Sequence, residues 1–351
     1  MNGGVVSVTR GYSMSGLKSA ICALIVLGSG MASAAEIGHF APGVLGIRDF
    51  AVPEPGSYGV LYNYYYSTDR LNDADGNRVD SVTISPGPGA GVTLNLDLDV
   101  DVYAIAPTVI WVSDKKLFGA KYAAYISPSF SDSSVAASLS TATGSGRSAE
   151  GSHFDAADLF VQPLWLGWTQ EHWDFALGYG FYAPTGHYDT ETLALPVVGD
   201  LTVEASDNIG LGFWTHQFQG AASWYPWADR RMAVVGALTY EANGKKEDFD
   251  LTPGDVLTLS WGVDQYLPLR TDQTLLLDVG LAGYSSWQVS NDSGAGAATP
   301  AVKDEVHAAG VQVGLTHVPW NASMTFHYLY EFDSKDRFQG ESIGLNFALK
   351  F

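Results

Sequence analysis

The chain has 351 residues, with 18 Lys and Arg against 38 Asp and Glu, and a formal net charge of −20. A chain this acidic is repelled by phosphate backbones, which excludes nucleic acid as a partner. After residue 34 no apolar run approaches the roughly 20 residues that a membrane-spanning helix needs, whereas 13% of the chain is aromatic and 39 residues are glycine.

Residues 1–34 are expected to form a secretory signal peptide. Basic residues come first, an apolar stretch spans 19–30, and Ala32-Ser33-Ala34 supplies the small residues of a cleavage site. The only cysteine, Cys22, lies in this segment, so the mature chain should contain no thiol, which suits an oxidising periplasm. We therefore expect Sec-type export and cleavage in a Gram-negative bacterium.

Residues 35–56 form a second unit that has no strand pattern but carries apolar side chains among Gly and Pro. A disordered periplasmic tail is one interpretation, although such tails are polar. We instead expect a plug or constriction folded into the periplasmic mouth of the barrel that the rest of the chain predicts. The arginine of this segment is expected to pair with an inward carboxylate. The candidate plug residues are Phe40, Leu45, Ile47, Arg48 and Phe50.

Residues 57–351 are expected to form an all-β domain, a transmembrane antiparallel outer-membrane β-barrel of about 12 strands. Segments of alternating apolar and polar residues recur, and the connections between them are alternately long and short. Long extracellular loops and tight periplasmic turns produce this rhythm, which a soluble β-sandwich lacks. The expected strands are 58–68, 94–112, 117–130, 155–168, 173–184, 209–225, 231–242, 255–267, 273–287, 304–317, 322–332 and 341–351. The first long connections are 69–93, 131–154 and 185–208, and the first short one is 113–116.

Alternation also gives each strand an outer and an inner face. A charge on the lipid face near the midplane costs about 2–4 kcal/mol, so charged residues are assigned inward. Because carboxylates outnumber bases among them, the lumen should favour cations if ions pass. An interior hydrogen-bonded network remains the alternative to ligand contact. The lumen-lining candidates are Asn63, Tyr65, Asp101, Tyr103, Lys121, Tyr125, Asp174, Gln217, Gln219, Asp264, Asp278, Gln312, His327 and Glu331.

Aromatic residues beside the short turns are expected to form a girdle at the lipid headgroups, where amphipathic rings are stable. They are Trp165, Trp168, Trp173, Trp224, Tyr225, Trp227 and Trp320. Three prolines, Pro107, Pro128 and Pro163, fall inside expected strands. A closed barrel has no free edge, so each proline predicts a bulge or a break in the hydrogen bonding.

The last strand ends the chain on an aromatic residue. Phe347, Leu349 and Phe351 share its apolar face. A terminal aromatic in such a strand resembles the signal by which the barrel assembly machinery recognises outer-membrane barrels. We therefore expect that machinery, outer-membrane lipid and lipopolysaccharide as partners.

Catalytic and metal-binding patterns are weak in this sequence. No serine lies in a nucleophile elbow, and none of the eight histidines lies in a His-Glu-x-x-His frame. The stretch Asp73–Asp80 alternates carboxylates and an amide, which could bind calcium, but Asp-Gly-Asn is also a common turn. We expect no catalytic residue, no cofactor and no metal, and the turn is favoured over a calcium site.

Several stretches of the chain resemble one known family. They are Gly38–Phe50, Pro53–Gly56, Tyr62–Tyr66, Val161–Trp168, Gly178–Gly186 and Trp224–Trp227. They look like motifs of the outer-membrane proteins of the meta-pathway of phenol degradation, and the resemblance covers essentially the whole mature chain. It implies a transporter-like β-barrel associated with the catabolism of aromatic compounds. The family supplies no agreed set of substrate-binding residues.

The residues and this resemblance together predict a function. We expect an outer-membrane channel, not an enzyme, for passive and selective uptake of small hydrophobic or aromatic solutes. A barrel with a closed lumen and a structural or surface-interaction role is the first alternative. An outer-membrane lipid hydrolase is the second. The sequence leaves the solute and the oligomeric state open.

Overall fold

The computed structural model describes residues 38–84, 92–140, 147–149, 152–195, 199–204, 208–297 and 301–351. The expected signal peptide lies outside these residues. The strands are β1 (Gly56–Thr68), β2 (Ser81–Ile84), β3 (Val92–Leu117), β4 (Ala120–Ser127), β5 (Phe130–Ser140), β6 (Arg147–Ala149), β7 (Ser152–Ala156), β8 (Leu159–Thr169), β9 (Trp173–Ala183), β10 (Thr190–Leu195), β11 (Gly199–Glu204), β12 (Thr215–Trp224), β13 (Met232–Asn243), β14 (Val256–Pro268), β15 (Leu275–Gln288), β16 (Glu305–His317), β17 (Ala322–Lys335) and β18 (Glu341–Lys350). One short 3₁₀ helix, Val318–Trp320, joins β16 to β17.

Twelve strands close into an antiparallel barrel, in the order β1, β3, β4, β8, β9, β12, β13, β14, β15, β16, β17 and β18. The ring closes at β1, where Val60 lies opposite Ala348 of β18 on one side and Thr108 of β3 on the other. Closure leaves no unpaired strand edge at membrane depth, which is the condition for a sheet to span a bilayer. The expected twelve-stranded outer-membrane barrel is confirmed.

Strand β3 is longer than the sequence predicted. Residues 113–116 were expected to be a turn, but β3 continues through them to Leu117. The chain reverses at Phe118-Gly119, where both residues have positive φ, 51° and 77°. Two such residues form the tight turn that matches strand twist. The polar residues before the turn hid the strand, because a strand beyond the lipid needs no apolar face.

The long connections also contain strands that the sequence did not predict. Strand β5 continues the line of β4 and pairs with β3, with Ile105 opposite Phe130 and Asn95 opposite Ser140. Strands β2, β6 and β7 add to the same sheet, and β10 and β11 form a separate hairpin. The expected loops 69–93 and 131–154 are therefore partly extensions of the barrel wall, whereas 185–208 contains the separate hairpin. Outside the membrane neither face needs apolar residues, so the alternation that reveals a strand is lost.

The three strand prolines interrupt the regular pairing, as predicted. Pro128 separates β4, which ends at Ser127, from β5, which begins at Phe130. Pro107 lies opposite that break, where β3 changes its partner from β5 to β4. At Pro163 the register of β8 against β9 shifts. Each proline is therefore accommodated without an unpaired N–H group.

The outer face carries the large exposed apolar side chains that a lipid-facing surface requires. They include Val109, Trp111, Phe175, Leu177, Phe218, Leu238, Leu281, Val311, Phe326 and Phe347. Among the described residues, no helix is both long and apolar enough to cross a bilayer.

Two of the expected girdle aromatics instead face inward. Trp165 is only 4% exposed and packs in a buried cluster with Ala123 and Ala176. Tyr225 is 5% exposed and donates a 2.8 Å hydrogen bond to the Asp174 carboxylate. For Trp165 the reason is the register shift at the preceding proline, which reverses the faces of the following residues. The exposed members of the expected girdle are Trp173, Trp224, Trp227 and Trp320.

Candidate functional site

Residues 38–55, hereafter the lumen segment, run through the inside of the barrel from one end to the other. At one end His39 contacts Thr215, which begins β12 after a long connection. At the other end Arg48 donates to the carbonyl oxygens of Arg230 and Arg231, in the short connection between β12 and β13. Because long connections of outer-membrane barrels are extracellular, the segment descends from the extracellular to the periplasmic end. The sequence predicted a plug in the periplasmic mouth, whereas the segment extends along the whole lumen.

Three backbone groups of the lumen segment are hydrogen-bonded to inward side chains from three strands, β13, β16 and β18. The bonds join the Phe40 amide to Glu241 (2.8 Å), the Ile47 amide to Gln312 (2.9 Å) and the Val44 carbonyl to Asn346 (2.9 Å). A backbone group buried in a barrel needs such a partner, because an unpaired one is costly. These contacts along the wall explain why the segment extends over the whole lumen.

Glycines in the wall make room for the apolar side chains of the lumen segment. A Cβ atom on Gly262 would lie 2.6 Å from Cγ1 of Ile47, and one on Gly280 would lie 2.8 Å from its Cδ1. A Cβ atom on Gly167 would lie 2.6 Å from the Cβ of Val52. The wall and the segment are therefore fitted to each other in shape.

The candidate plug residues differ in how deeply they are buried. Phe40, Ile47 and Phe50 are 7%, 4% and 4% exposed, respectively. Ile47 and Phe50 belong to one cluster, and Leu45 is partly buried against it. The wall contributes Tyr225, Ala233, Val235 and Ala237 to this cluster. Small side chains of β13 and the Tyr225 ring in the connection before β13 thus form the surface against which the lower half of the lumen segment packs.

Arg48 of the lumen segment is held by several polar contacts with the wall. Its Nε donates to the Asp264 carboxylate at 2.7 Å, and its Nη2 donates to the Arg231 carbonyl at 2.7 Å. The guanidinium also lies over the Tyr266 ring, 4.0 Å from the centroid. The side chain of Asp264 is fully buried, whereas the side chain of Arg48 is 20% exposed. A planar guanidinium suits this site, because it bridges a carboxylate and carbonyls while stacking on a ring.

Most of the lumen-lining candidates lie on the inner face. They are Lys121, Tyr125, Asp174, Gln217, Gln219, Asp264, Asp278, Gln312, His327 and Glu331. Two of them illustrate how the face is used. Lys121 pairs with Glu54 at the lower end of the lumen segment, with a distance of 2.7 Å, and Gln312 donates to Asp278 at 2.6 Å.

Four candidates, Asn63, Tyr65, Asp101 and Tyr103, lie on the outer face, so their inward assignment was wrong. Tyr65 lies opposite Tyr103 of β3 and opposite Ile343 of β18, which is exposed on the outer face. The polar groups satisfy one another there: Tyr65 donates to Asp101, and Tyr103 donates to Asn63 at 3.1 Å. They lie towards the long connections, so their place is the extracellular rim of the lipid-facing belt.

The inner face of β1 instead carries a row of tyrosines, Tyr62, Tyr64 and Tyr66. The hydroxyl of Tyr66 donates to Glu331 at 2.8 Å, and Glu331 also accepts from Tyr284 at 2.7 Å and from the Gly340 amide at 2.6 Å. This carboxylate therefore ties three strands and the last long connection together at the extracellular end. Because tyrosines occupy both faces of β1, polarity alone could not assign its parity.

A small cavity lies between the lumen segment and the wall. Its volume is about 20 Å³, and it is lined in part by Phe40, Leu45, Ser260 and Trp261. A volume of this size holds about one water molecule. An aromatic ring needs much more room than this cavity offers.

His39, Asp158 and Thr215 are brought together in an arrangement that resembles a catalytic triad. The His39 ring nitrogens lie 2.8 Å from the Thr215 hydroxyl and 2.9 Å from the Asp158 carboxylate. The hydroxyl itself donates to the amide oxygen of Asn243 at 2.7 Å, and that amide is oriented by donating to the Gly254 carbonyl. Thr215 therefore accepts from His39. A nucleophile needs the opposite direction, in which histidine takes the hydroxyl proton.

The stretch Asp73–Asp80 forms a turn. The Asp73 carboxylate accepts from the amides of Asn77 (2.8 Å) and Asp75 (2.9 Å), and Gly76 has a φ of 81°. The hydrogen bond from the Asn77 amide, followed by that from Asp75, holds the pKa of Asp73 below its ordinary value. Across the described ranges no group of three or more His, Cys, Asp or Glu residues is arranged to hold a metal ion.

The end of the chain closes the barrel against β1. The Phe351 amide donates to the Ser57 carbonyl at 3.0 Å, and the Phe351 ring is 73% exposed. Phe347 and Leu349 lie on the same outer face, 40% and 48% exposed. These three side chains are therefore available to lipid or to another protein rather than to the lumen.

Known proteins resemble this chain in sequence and in fold. A family model described as "Putative MetA-pathway of phenol degradation" matches residues 68–347. A search of curated proteins finds no match. Among solved structures, the COG4313 outer membrane channel from Pseudomonas putida F1 is similar with a TM-score of 0.57 and 14% identity, covering 88% of this chain and 100% of that chain. The β domain of the Bordetella autotransporter BrkA is more distant, with a TM-score of 0.42 and 9% identity over 84% of this chain and 100% of that chain.

The family match extends over most of the chain, including every barrel strand from β3 to β17. The structural similarity to the Pseudomonas channel independently supports the fold, a closed outer-membrane barrel. The chain therefore belongs to the family of the MetA-pathway of phenol degradation.

Proposed function

We propose that this chain is an outer-membrane channel for the passive, selective uptake of small hydrophobic or aromatic molecules. The observation that carries the proposal is the lumen segment, which is anchored to the wall on several sides and leaves little free space. Such an interior restricts passage to solutes that fit, unlike a wide aqueous pore. The family's description supports an aromatic solute, and the channel from Pseudomonas putida supports a conducting barrel.

The proposal includes export and assembly. Residues 1–34 would direct Sec-type export and be removed in the periplasm. The barrel would be inserted by the outer-membrane assembly machinery, with lipopolysaccharide and lipid against its apolar outer face. A lipid hydrolase is disfavoured, because the hydroxyl of Thr215 is committed to Asn243 and its histidine acts as a donor.

Uptake into vesicles tests the proposed function. The purified protein is inserted into vesicles whose outer leaflet is lipopolysaccharide, so that the lipid itself is a slow route for aromatic solutes. We expect phenol to enter several-fold faster than into vesicles without protein, while a sugar of similar mass enters no faster. The sugar serves as the matched solute, because it carries hydroxyls without an aromatic ring.

The closed-lumen barrel is the alternative that the small cavity favours. It predicts that phenol enters at the same rate with and without the protein, although the barrel is correctly inserted. Insertion is checked by the migration of the unheated and heated protein on a gel. Equal rates with full insertion would therefore replace the channel by a structural or surface-interaction role.

Phe351 is proposed to act in assembly rather than in transport. Deleting this exposed terminal residue, or changing Phe351→Ser, should lower the amount of heat-modifiable barrel in the outer membrane several-fold. The uptake rate per folded molecule should change little, because the ring faces outward. Phe332→Ser removes an equally outward ring, 58% exposed, from β17 and is the matched control. Normal abundance of the Phe351 variants would contradict this role.

A further inference from the structure

A continuous row of aromatic rings lines one side of the lumen. Neighbouring ring centroids are 4.4–5.7 Å apart, within the range of favourable aromatic pairs. In order from the extracellular end, the rings belong to Phe213, His39, Tyr182, Phe160, Tyr125 and Trp165. We call this row, with its adjoining wall, the aromatic track.

The wall beneath the aromatic track directs these buried rings towards the lumen. Gly178 and Gly180 lie on the inner face of β9, where a Cβ on Gly180 would be 2.6 Å from the Phe160 ring. A Cβ on Gly178 would be 2.8 Å from the Gln162 amide nitrogen. Gln162 faces inward before the register shift at Pro163, and the shift turns Trp165 inward after it. A side chain at either glycine would collide with Phe160 or Gln162. Without the register shift, Trp165 would face outward.

Three buried polar atoms on the aromatic track have no hydrogen-bond partner among the residues that the structure describes. They are Nε2 of Gln162, Nε1 of Trp165 and Oε1 of Gln217. The three residues are only 1%, 4% and 2% exposed. Gln162 already uses its oxygen to accept from Tyr125 at 3.1 Å, so its nitrogen is the free donor. Buried polar groups are nearly always paired, so three unpaired groups on the two strands that flank β9 indicate a ligand position.

The unpaired groups have the polarity that a hydroxyl satisfies. Two are N–H donors and one is a carbonyl acceptor, and a hydroxyl both accepts and donates. Gln217 lies opposite Gly180 in the pairing of β12 with β9, which places this residue beside one of the two inward glycines of β9. A flat ring with a hydroxyl group thus matches the rings and the polar atoms at once.

We propose that the aromatic track is the permeation path and that its solutes are hydroxylated monocyclic aromatics, the phenols. This inference rests on the proposed channel function and names the route and the solute class. The lumen segment covers the two ends of the track, with His39 stacked on Tyr182 at 4.7 Å and Val52 packed with Trp165. A solute enters when the segment, and His39 with it, shifts from this wall, and it then exchanges ring contacts along the rings that remain, those of Tyr182, Phe160, Tyr125 and Trp165.

Two variants and one control test the path in the vesicles described above, with phenol and toluene as a pair of solutes. Toluene has the ring without the hydroxyl, so the ratio of the two rates is independent of how much protein is inserted. Gln162→Leu removes the free donor, and Phe160→Leu removes a ring from the middle of the row. Phe218→Leu is the control, because that ring is 49% exposed on the outer face of β12, the second strand from β8 in the barrel.

The expected results separate the two parts of the proposal. Gln162→Leu should lower the phenol-to-toluene ratio about two- to tenfold, as expected for one lost hydrogen bond. Phe160→Leu should slow both solutes about two- to tenfold, relative to the same amount of folded Phe218→Leu. Trp165→Phe retains a ring but loses the N–H, and it should lower only the ratio.

If the unmodified protein transports phenol but these variants behave like Phe218→Leu, the aromatic track is not the path, and the channel function stands. If the unmodified protein does not speed phenol entry at all, the proposed function and the path are both wrong. If gel migration shows that Gln162→Leu or Phe160→Leu is unfolded, the test rests on Trp165→Phe, which changes the wall least. The phenol-to-toluene ratio of that variant then decides the result.

Discussion

Replacing Arg48 by methionine is expected to destabilise the folded barrel by about 3–5 kcal/mol, because it leaves a buried carboxylate without its cation. The side chain of Asp264 has no exposure to solvent, and Arg48 donates to it at 2.7 Å. The substitution also frees the carbonyls of Arg230 and Arg231 and removes the stacking on Tyr266. The lower part of the lumen segment would therefore lose its main anchor.

Urea unfolding in lipid vesicles, followed by tryptophan fluorescence, measures this loss. Arg78→Met is the matched control, because Arg78 pairs with Asp69 and Asp80 on the surface, and such pairs contribute about 0–1 kcal/mol. Combining Arg48→Met with Asp264→Asn should restore part of the stability, since the buried charge is then gone as well. Equal midpoints for the Arg48 and Arg78 variants would show that the buried pair does not anchor the segment.

The barrel was predictable because lipid imposes a pattern on every strand that crosses it. Strands such as β9 and β14 must present apolar residues to the outside, and that requirement is visible as period two. The extension β5 lies outside this constraint, since its sequence Phe130–Ser140 is mostly small and polar. The expected connection 131–154 therefore concealed a strand that only its pairing with β3 reveals.

Face assignments failed where the pattern was ambiguous or interrupted. In Tyr62–Tyr66 tyrosines occupy both parities, so nothing in the sequence identified which row faces the lumen. Pro163 predicted an irregularity, but not that the following Trp165 would change sides. A bulge moves every later side chain to the other face. Applying that rule at Pro163 would have placed Trp165 inside.

The burial of the lumen segment followed from its apolar residues, but its route did not. Its contacts join positions far apart in sequence, such as Phe40 with Glu241 and Ile47 with Gln312. Nothing local in residues 38–55 identifies those partners. The aromatic track was missed for the same reason, because its rings come from the lumen segment and three strands, β4, β8 and β9, as well as the residues before β12.

Deleting residues 38–55 is expected to leave a folded barrel with a wider and more cation-selective lumen. In the part of the chain that the structure describes, no strand pairs with residues 38–55, and β1 begins at Gly56, so the deletion removes no bond between strands. Glu241 and Asp264 would lose their partners in the segment and become hydrated. An acidic lining of this kind favours cations over anions.

Single-channel recording of the unmodified and deleted proteins in the same bilayer tests most directly whether the lumen segment controls passage. We expect a small conductance for the unmodified protein and a several-fold larger one for the deleted form. A potassium chloride gradient should also give the deleted form a stronger preference for potassium. Glu54→Gln, which removes only the ion pair with Lys121, should conduct like the unmodified protein. Equal conductance of the deleted and unmodified proteins would show that the lumen segment does not control passage, and control would then have to lie in the long connections.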